Sequence, residues 1–251
     1  MRGIEQSSWR TPAAYLYTLG LDEVSLAWEY LRRNPSYQAT WFKAAPRSKL
    51  SAAGPWGLRY LEDPRLDARR AEPLWYPFPC SSVSITRPAD TGYGVRFQFW
   101  RIPGEKSLVH DGLRLQLTTR DSPGVKRAVL AADLSTDEPY AYSVLGGNNL
   151  AARCHAVNEF EVFYHAKRPN SPRHHRPTRA ALTHMRILQA FDGARSGASH
   201  RDVAVAMHGS NIVRKHWTPD SELRAQIRYL LRRGNALAEG GYRALLNADS
   251  S

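Results

Sequence analysis

The stretch GASHRDVAVAMHG, residues 197–209, is short, rich in alanine and bounded by glycine at both ends. Ser199, followed three residues later by Asp202, is typical of a capped helix start, and Gly209 is typical of a helix end. The apolar residues that share one face at helical spacing are Val203, Ala204 and Met207. We therefore expect a thin helix whose small buried residues allow another helix to approach closely.

Amphipathic helices are predicted on both sides of this stretch. The apolar positions of the preceding helix, residues 178–197, are Leu182, Met185, Ile187 and Leu188. The following segment, residues 218–246, is expected to form one long helix with Pro219 in its first turn. Its apolar positions are Leu223, Ile227, Leu230 and Leu231. A short helix between two longer ones indicates a helix-turn-helix module.

The intervening segment GSNIVRKHW, residues 209–217, is longer than the turn of a tight helix-turn-helix. Either the turn is extended or a short extra helix fills it. The sequence leaves open which helix would enter a DNA groove.

Positive charge is concentrated in this last third of the chain. The chain has a formal net charge of +12, and residues 173–251 contain 13 Lys or Arg against 6 Asp or Glu. Such an excess favours an anionic partner. The arginines at positions 224, 228 and 232 recur every four residues, as on one flank of a helix, although a solvated surface helix can show the same pattern.

Together with the predicted helix-turn-helix module, these charges predict binding to double-stranded DNA. The candidates for contacts near base edges are Arg224, Gln226 and Arg228. The candidates for phosphate contacts are Arg214, Lys215, Arg232 and Arg233. Arginine suits both tasks because its planar guanidinium group can clamp a phosphate or a guanine edge.

Three regions are expected, giving an α+β fold class. Residues 1–65 should form a helical module, since Val24, Ala27, Trp28 and Leu31 lie at helical spacing behind Asp22, a good N-cap. A short upstream helix should use Trp9, Tyr15, Leu16 and Leu19. Residues 173–251 form the helix-turn-helix module.

The middle region, residues 66–172, changes to the period-two pattern of strands. Three strands in a small antiparallel meander are expected at GVRFQFWRI (94–102), LRLQLTT (113–119) and VKRAVLAADL (125–134), with a helix over 149–168. The basic segment KRPNSPRHHRP, residues 167–177, is interpreted as a linker, with a DNA-contacting arm as the alternative.

Other protein classes receive little support from the sequence. The two cysteines form no CxxC pair, and no apolar run approaches the length of a membrane span, which suggests a cytoplasmic protein. No HExxH, GxxxxGK[ST] or GxSxG motif occurs, and the histidines form no recognisable ligand set. We therefore expect no catalytic residues, cofactor or metal.

Two motif sets carry a resemblance to known families. GASHRDVAVAMHG, HWTPDSELR and RRGNALAEGGYRALL resemble a proteobacterial DNA-binding domain family of formerly unknown function. WRTPAAYLY and WEYLRRNPSYQATW, near the N-terminus, resemble a transcriptional-regulator domain family. Their fusion resembles the FseA-type transcriptional activators of integrative and conjugative elements.

The resemblance implies activation of genes for excision and conjugative transfer, with horizontal gene transfer as the outcome. It also implies restraint by a small antiactivator protein, contact with RNA polymerase and a place at the nucleoid in the cytoplasm. The alternatives are a protein-interaction regulator with only non-specific DNA affinity and, less favoured, a nucleic-acid-processing enzyme.

Overall fold

The computed structural model describes residues 8–89, 94–121, 124–166 and 176–247. The helices are α1 (Glu23–Leu31), α2 (Pro35–Lys43), α3 (Leu150–Tyr164), α4 (Arg179–Arg195), α5 (His200–His208), α6 (Ser210–His216), α7 (Glu222–Ala236) and α8 (Tyr242–Leu245). The strands are β1 (Ser82–Thr86), β2 (Glu105–His110), β3 (Arg114–Asp121), β4 (Gly124–Ala131) and β5 (Ala141–Ser143). The predicted α+β class is confirmed.

Short 3₁₀ segments surround α1 in the N-terminal region, among them Pro12–Gly20. The Asp22 side chain caps α1 by accepting a hydrogen bond from the Ser25 backbone N–H, and the predicted apolar stripe of α1 is buried. Leu16 differs from its prediction, since it is 53 % exposed. Pro35 starts a second helix, α2, because a proline at the first helical position sacrifices no helical hydrogen bond.

The sheet has the strand order β2-β3-β4-β1-β5. Strands β2, β3 and β4 form an antiparallel meander, as expected, but its first strand is β2 and not the segment 94–102. Strand β1 joins β4 in parallel and β5 joins β1 antiparallel, so the sheet is mixed. The predicted strands at 113–119 and 125–134 are confirmed by β3 and β4. The short strands β1, β2 and β5 were not predicted.

The prediction of a strand at 94–102 is wrong. Phe97 is buried there, but the segment makes only a single bridge, from Arg96 to Pro139, and then turns at Phe99–Arg101. Of the alternating apolar residues only Phe97 is fully buried, since Val95 is 53 % exposed and Phe99 is half-buried. The predicted helix of the middle region is confirmed by α3, whose Phe160 and Tyr164 pack into the core of the sheet.

The two ends of the chain share one apolar core. Buried residues of the N-terminal region, such as Trp28 and Tyr37, belong to the same cluster as Leu188 of α4 and Ile227 of α7. Hydrogen bonds also join the N-terminal region to the C-terminal helices, since the Asn34 side chain donates to the Ala238 carbonyl at 2.9 Å. The core continues past residue 65 through Ala68, Ala71 and Trp75.

The C-terminal helices differ from the predicted long helix at both ends. Helix α7 begins at Glu222 with Ser221 as its N-cap, so Pro219 lies before the helix and outside its first turn. The helix ends at Ala236, and a turn over Leu237–Gly241, in which Gly240 has φ +129°, precedes α8. Of the predicted linker 167–177, residues 167–175 lie outside the described residues. Within the described ranges no helix combines the length and apolarity that crossing a membrane requires.

A buried ion-pair network joins the N-terminal region to α4. The Arg33 guanidinium group lies between two carboxylates: it pairs with Glu29, and its Nε is 2.8 Å from Asp192 Oδ1. The Tyr15 hydroxyl donates to the other Asp192 oxygen at 2.8 Å. Burial alone would raise the pKa of Glu29, but the charges of Arg33 and Arg32 outweigh burial and lower that pKa to about 2.

We expect Asp192→Asn to lower the free energy of unfolding by about 2–4 kcal/mol, because it leaves the charge of buried Arg33 only partly compensated. Urea denaturation of both proteins measures this difference. Asp133→Asn, at an exposed aspartate outside the network, is the matched control and should change stability by less than about 0.5 kcal/mol. Equal effects of the two substitutions would contradict a structural role for the network.

Candidate nucleic-acid interface

Helix α5 starts with the capping arrangement that its sequence predicts. The Asp202 backbone N–H donates to Ser199 Oγ at 3.2 Å, and the Ser199 backbone N–H donates to Asp202 Oδ2 at 3.0 Å. These two bonds satisfy backbone donors that a helix start leaves without intrahelical partners. The start of α5 is therefore fixed by local sequence.

Small residues let α5 and α7 approach α4 closely. Ala204 and Val203 of α5 are fully buried. A Cβ added at Gly193 of α4 would lie 3.1 Å from Val203 Cγ2, and one added at Gly234 of α7 would lie 3.1 Å from Phe191 Cβ. Glycines of α4 and α7 and the small buried residues of α5 thus give the close helix packing that the sequence of α5 indicated.

A short helix fills the segment that the sequence left open. Gly209 ends α5 with φ +86° and directly precedes α6. That positive φ is accessible to glycine at little cost and strained for other residues. Helices α5 and α6 are therefore consecutive helices that meet at Gly209, and α5 also packs against α4 and α7.

Helix α6 buries one side chain and exposes the rest. Val213 is 1 % exposed, whereas Ile212 is 49 % exposed. Arg214 and Lys215 are exposed, and Arg214 Nη2 lies 3.1 Å from Asn211 Oδ1. Sequence reasoning missed the exposed residues at the start of α6, although Gly209 followed by a polar segment with two adjacent apolar residues is a usable signal.

A cavity of about 680 Å³ lies between α6 and the first turns of α7. Lys215 and Gln226, two of the predicted contact residues, both line it. His208 lines it too, and its Nε2 is buried without a hydrogen-bond partner among the described residues. Burial, and then the positive charge of Arg186, lower the pKa of His208.

The arginine ladder of α7 lies on another side of that helix. Successive helical residues turn by about 100°, so Arg228 and Arg232 lie roughly 160° and 120° around the axis from Gln226. Both are exposed, whereas Arg224 is half-buried. The structure brings Lys215 and Gln226 together and keeps the ladder apart from them.

Arg233 occupies a third position. Burial, and then the positive charge of Arg233, lower the pKa of His184 in α4, which places Arg233 beside α4. Arg233 is exposed, so it remains available to a ligand on that side of the bundle.

Comparison with known families agrees with this architecture. Residues 144–247 match the family model described as "T6SS, Transcription factor, DNA binding domain", of the RovC type. Residues 8–61 match the "Proteobacterial transcriptional regulator-like domain", and residues 90–127 match a domain of unknown function. No curated protein matches the chain.

These matches support a transcriptional regulator with a DNA-binding domain. The DNA-binding match extends from before α3 to the end of α8, so it includes the whole α4–α7 bundle. Both informative matches are regulator domains, and the described residues contain no group of three or more potential metal ligands.

We expect Gly209→Ala to lower the free energy of unfolding by about 1–3 kcal/mol, because alanine is strained at φ +86°. Thermal unfolding followed by circular dichroism measures the change. Gly20→Ala is the control, since Gly20 lacks a positive φ and an added Cβ would meet nothing within 4 Å. A wild-type melting temperature for Gly209→Ala would show that the α5–α6 turn does not depend on glycine.

Proposed function

We propose that this chain is a transcriptional activator that binds a specific promoter sequence in double-stranded DNA through α5 and α6. The observation that carries the proposal is the exposed, basic second helix of a helix-turn-helix pair, held on a supporting bundle. The second helix of such a pair is the one that enters the major groove, with its first residues nearest the bases.

Base contacts are accordingly assigned to α6. Asn211 can form paired hydrogen bonds with adenine, and exposed Ile212 can contact a thymine methyl group. Arg214 suits a guanine edge or a phosphate. Lys215 and Gln226 line the cavity between α6 and α7, which Ile212 also lines. The Arg224, Arg228 and Arg232 ladder then contacts phosphates of neighbouring or bent DNA. Base reading by α7, as the sequence alone suggested, is the competing assignment.

The regulated genes are a separate part of the proposal. The resemblance to FseA-type activators supports genes for excision and conjugative transfer of a mobile element, with an antiactivator and RNA polymerase as protein partners. This role places the protein at the nucleoid in the cytoplasm. A second candidate is control of secretion genes, because the family model matched by residues 144–247 is described as belonging to a T6SS transcription factor.

A binding titration tests the proposed function. The full chain is titrated against promoter fragments from its own genetic neighbourhood, with random DNA of equal length as competitor, at two salt concentrations. The full chain is needed because α4 and α7 bury apolar residues in a core shared with the N-terminal region.

Preferred binding to one fragment that persists at the higher salt concentration supports the activator and points to the genes it regulates. Equal loss on every fragment would favour the non-specific interaction regulator, and DNA cleavage would favour the enzyme.

Arg214→Ala and Arg228→Ala distinguish the two assignments of base contacts. We expect Arg214→Ala to weaken binding to the preferred fragment by about 1–3 kcal/mol and to affect random DNA less. Arg228→Ala should weaken both to a similar extent, because phosphate contacts carry no sequence information. The reverse pattern, measured by competition titration, would assign base reading to α7.

The N-terminal region offers a surface for protein contacts. Large apolar side chains are exposed within the matched segment 8–61, among them Leu50 at 62 % and Tyr60 at 39 %. The Leu61 backbone N–H donates to the Lys49 carbonyl at 3.2 Å, which brings the chain at Tyr60 beside the chain at Leu50. Exposed apolar side chains that lie together mark interaction surfaces. This supports contact with RNA polymerase or the antiactivator.

We expect the double variant Leu50→Ser and Tyr60→Ser to weaken one of two protein contacts by about tenfold, equivalent to about 1.4 kcal/mol. Loss of the RNA polymerase contact would reduce activation of a promoter–reporter fusion, and loss of the antiactivator contact would reduce repression of the same fusion. DNA affinity should not change. Val162→Ser, at a 67 % exposed position on α3, is the control. Unchanged activation and repression in the double variant would exclude this surface. Deleting residues 1–65 is a poorer test because it removes part of the shared core.

A further inference from the structure

A second cavity, of about 620 Å³, lies where the N-terminal region meets the C-terminal end of α4. Five arginines and two aspartates are among the residues that line it, together with aromatic rings that include Tyr17 and Phe42. Small-molecule sites commonly have volumes of about 300–1,000 Å³ and lie between structural units. This cavity, which we call the seam groove, has no part in the helix-turn-helix surface described above.

Several arginines of the seam groove are neutralised within the protein. Arg33 pairs with Asp192, Arg65 with Asp63, and Arg69 with Asp67. These pairs fix the positions of the guanidinium groups.

Arg195, at the end of α4, is different. Among the described residues no carboxylate lies within ion-pair distance of it, and its guanidinium carbon is 5.8 Å from the centre of the Phe191 ring. Partial burial of the Arg195 guanidinium group lowers its pKa, and the charge of Arg33 opposes the favourable effect of Asp192. The residue as a whole is exposed. Its charge is therefore accessible to an anion in the groove, with which a guanidinium group can form charge-assisted hydrogen bonds.

Aromatic surface lies beside this charge. The Arg69 guanidinium carbon is 4.5 Å from the centre of the Tyr17 ring, and Phe42 is 65 % exposed at the groove. Aromatic faces and guanidinium planes both stack on planar rings. A phosphate near Arg195 and a planar ring near Tyr17 would use both features at once.

We infer that the seam groove binds a small organic phosphate that carries a planar ring, of the size of a nucleotide. Its position also suggests regulation, a consequence that rests on the proposed DNA-binding function. Trp9 and Ser196 line the groove, and α5 begins five residues after Arg195. The Trp9 ring reaches the close α4–α5 contact, since a Cβ at Gly193 would lie 2.9 Å from it. An occupied groove would therefore shift α5 and change DNA affinity.

Calorimetric titration of the full chain tests the binding directly. The probes are ADP and GDP, with adenosine as the ring without phosphate and inorganic phosphate as the anion without a ring. We expect saturable binding of at least one nucleotide with Kd below about 1 mM, and binding of adenosine and phosphate weaker by about tenfold or more. Lack of saturation by either nucleotide, or equal affinity for inorganic phosphate, would overturn the inference.

Two variants test the location. Arg195→Gln and Arg69→Gln should each raise the Kd of the nucleotide by about tenfold, with circular dichroism confirming the fold. Arg101→Gln, at an exposed arginine of the middle region, is the matched control and should bind as the wild type does. Unchanged affinity in Arg195→Gln would overturn the site.

Competition separates this inference from DNA binding. A random DNA duplex should not displace the nucleotide. Displacement would show that the groove belongs to the DNA-binding surface and would overturn the inference. Saturating nucleotide should change affinity for the preferred fragment by about threefold or more, equivalent to about 0.7 kcal/mol. If nucleotide binds without that change, the regulatory role is overturned. If no specific DNA fragment exists, the direct titration still tests the groove.

Discussion

The buried Glu29–Arg33–Asp192 network is the interaction on which the arrangement of the chain depends. Glu29 is fully buried, and its second carboxylate oxygen accepts the Ala68 backbone N–H at 2.7 Å. Removing any one of these charges would leave another buried charge only partly compensated, which costs more than the intact network contributes. The network is therefore less a source of net stability than a constraint that permits one way of joining the N-terminal region to α4.

That constraint has a consequence for how a regulator of this kind can work. Residues near the two ends of the chain contribute to one core, and cross-links such as Asn34 to Ala238 and Tyr242 to the Trp56 carbonyl reinforce it. A partner or ligand at the N-terminal region would act on the same packed unit that carries the helix-turn-helix. Close-packed interiors transmit small displacements because they contain little free space to absorb them.

The sheet adds a second connection between regions. Arg127 of β4 pairs with Asp22 at the start of α1, whereas its neighbour Lys126 pairs with Glu159 of α3. Successive residues of a strand point to opposite faces, so β4 contacts α3 on one face and the N-terminal region on the other. The sheet thus lies between α3 and the N-terminal region.

The sequence by itself determined those features that depend on neighbouring residues. The Asp22 cap, the Ser199–Asp202 cap, the stripes of α1 and α7 and the central strands β3 and β4 all follow from spacing and local hydrogen bonding. The tertiary structure decided what depends on distant partners. The alternation at 94–102 did not become a strand, because a strand needs a neighbouring strand to satisfy its backbone groups. Likewise, the position of the arginine ladder relative to α6 was known only once the packing of α7 was known. The sequence pattern fixes the angle of each arginine around the axis of α7, but it does not fix which other helix that side of α7 faces.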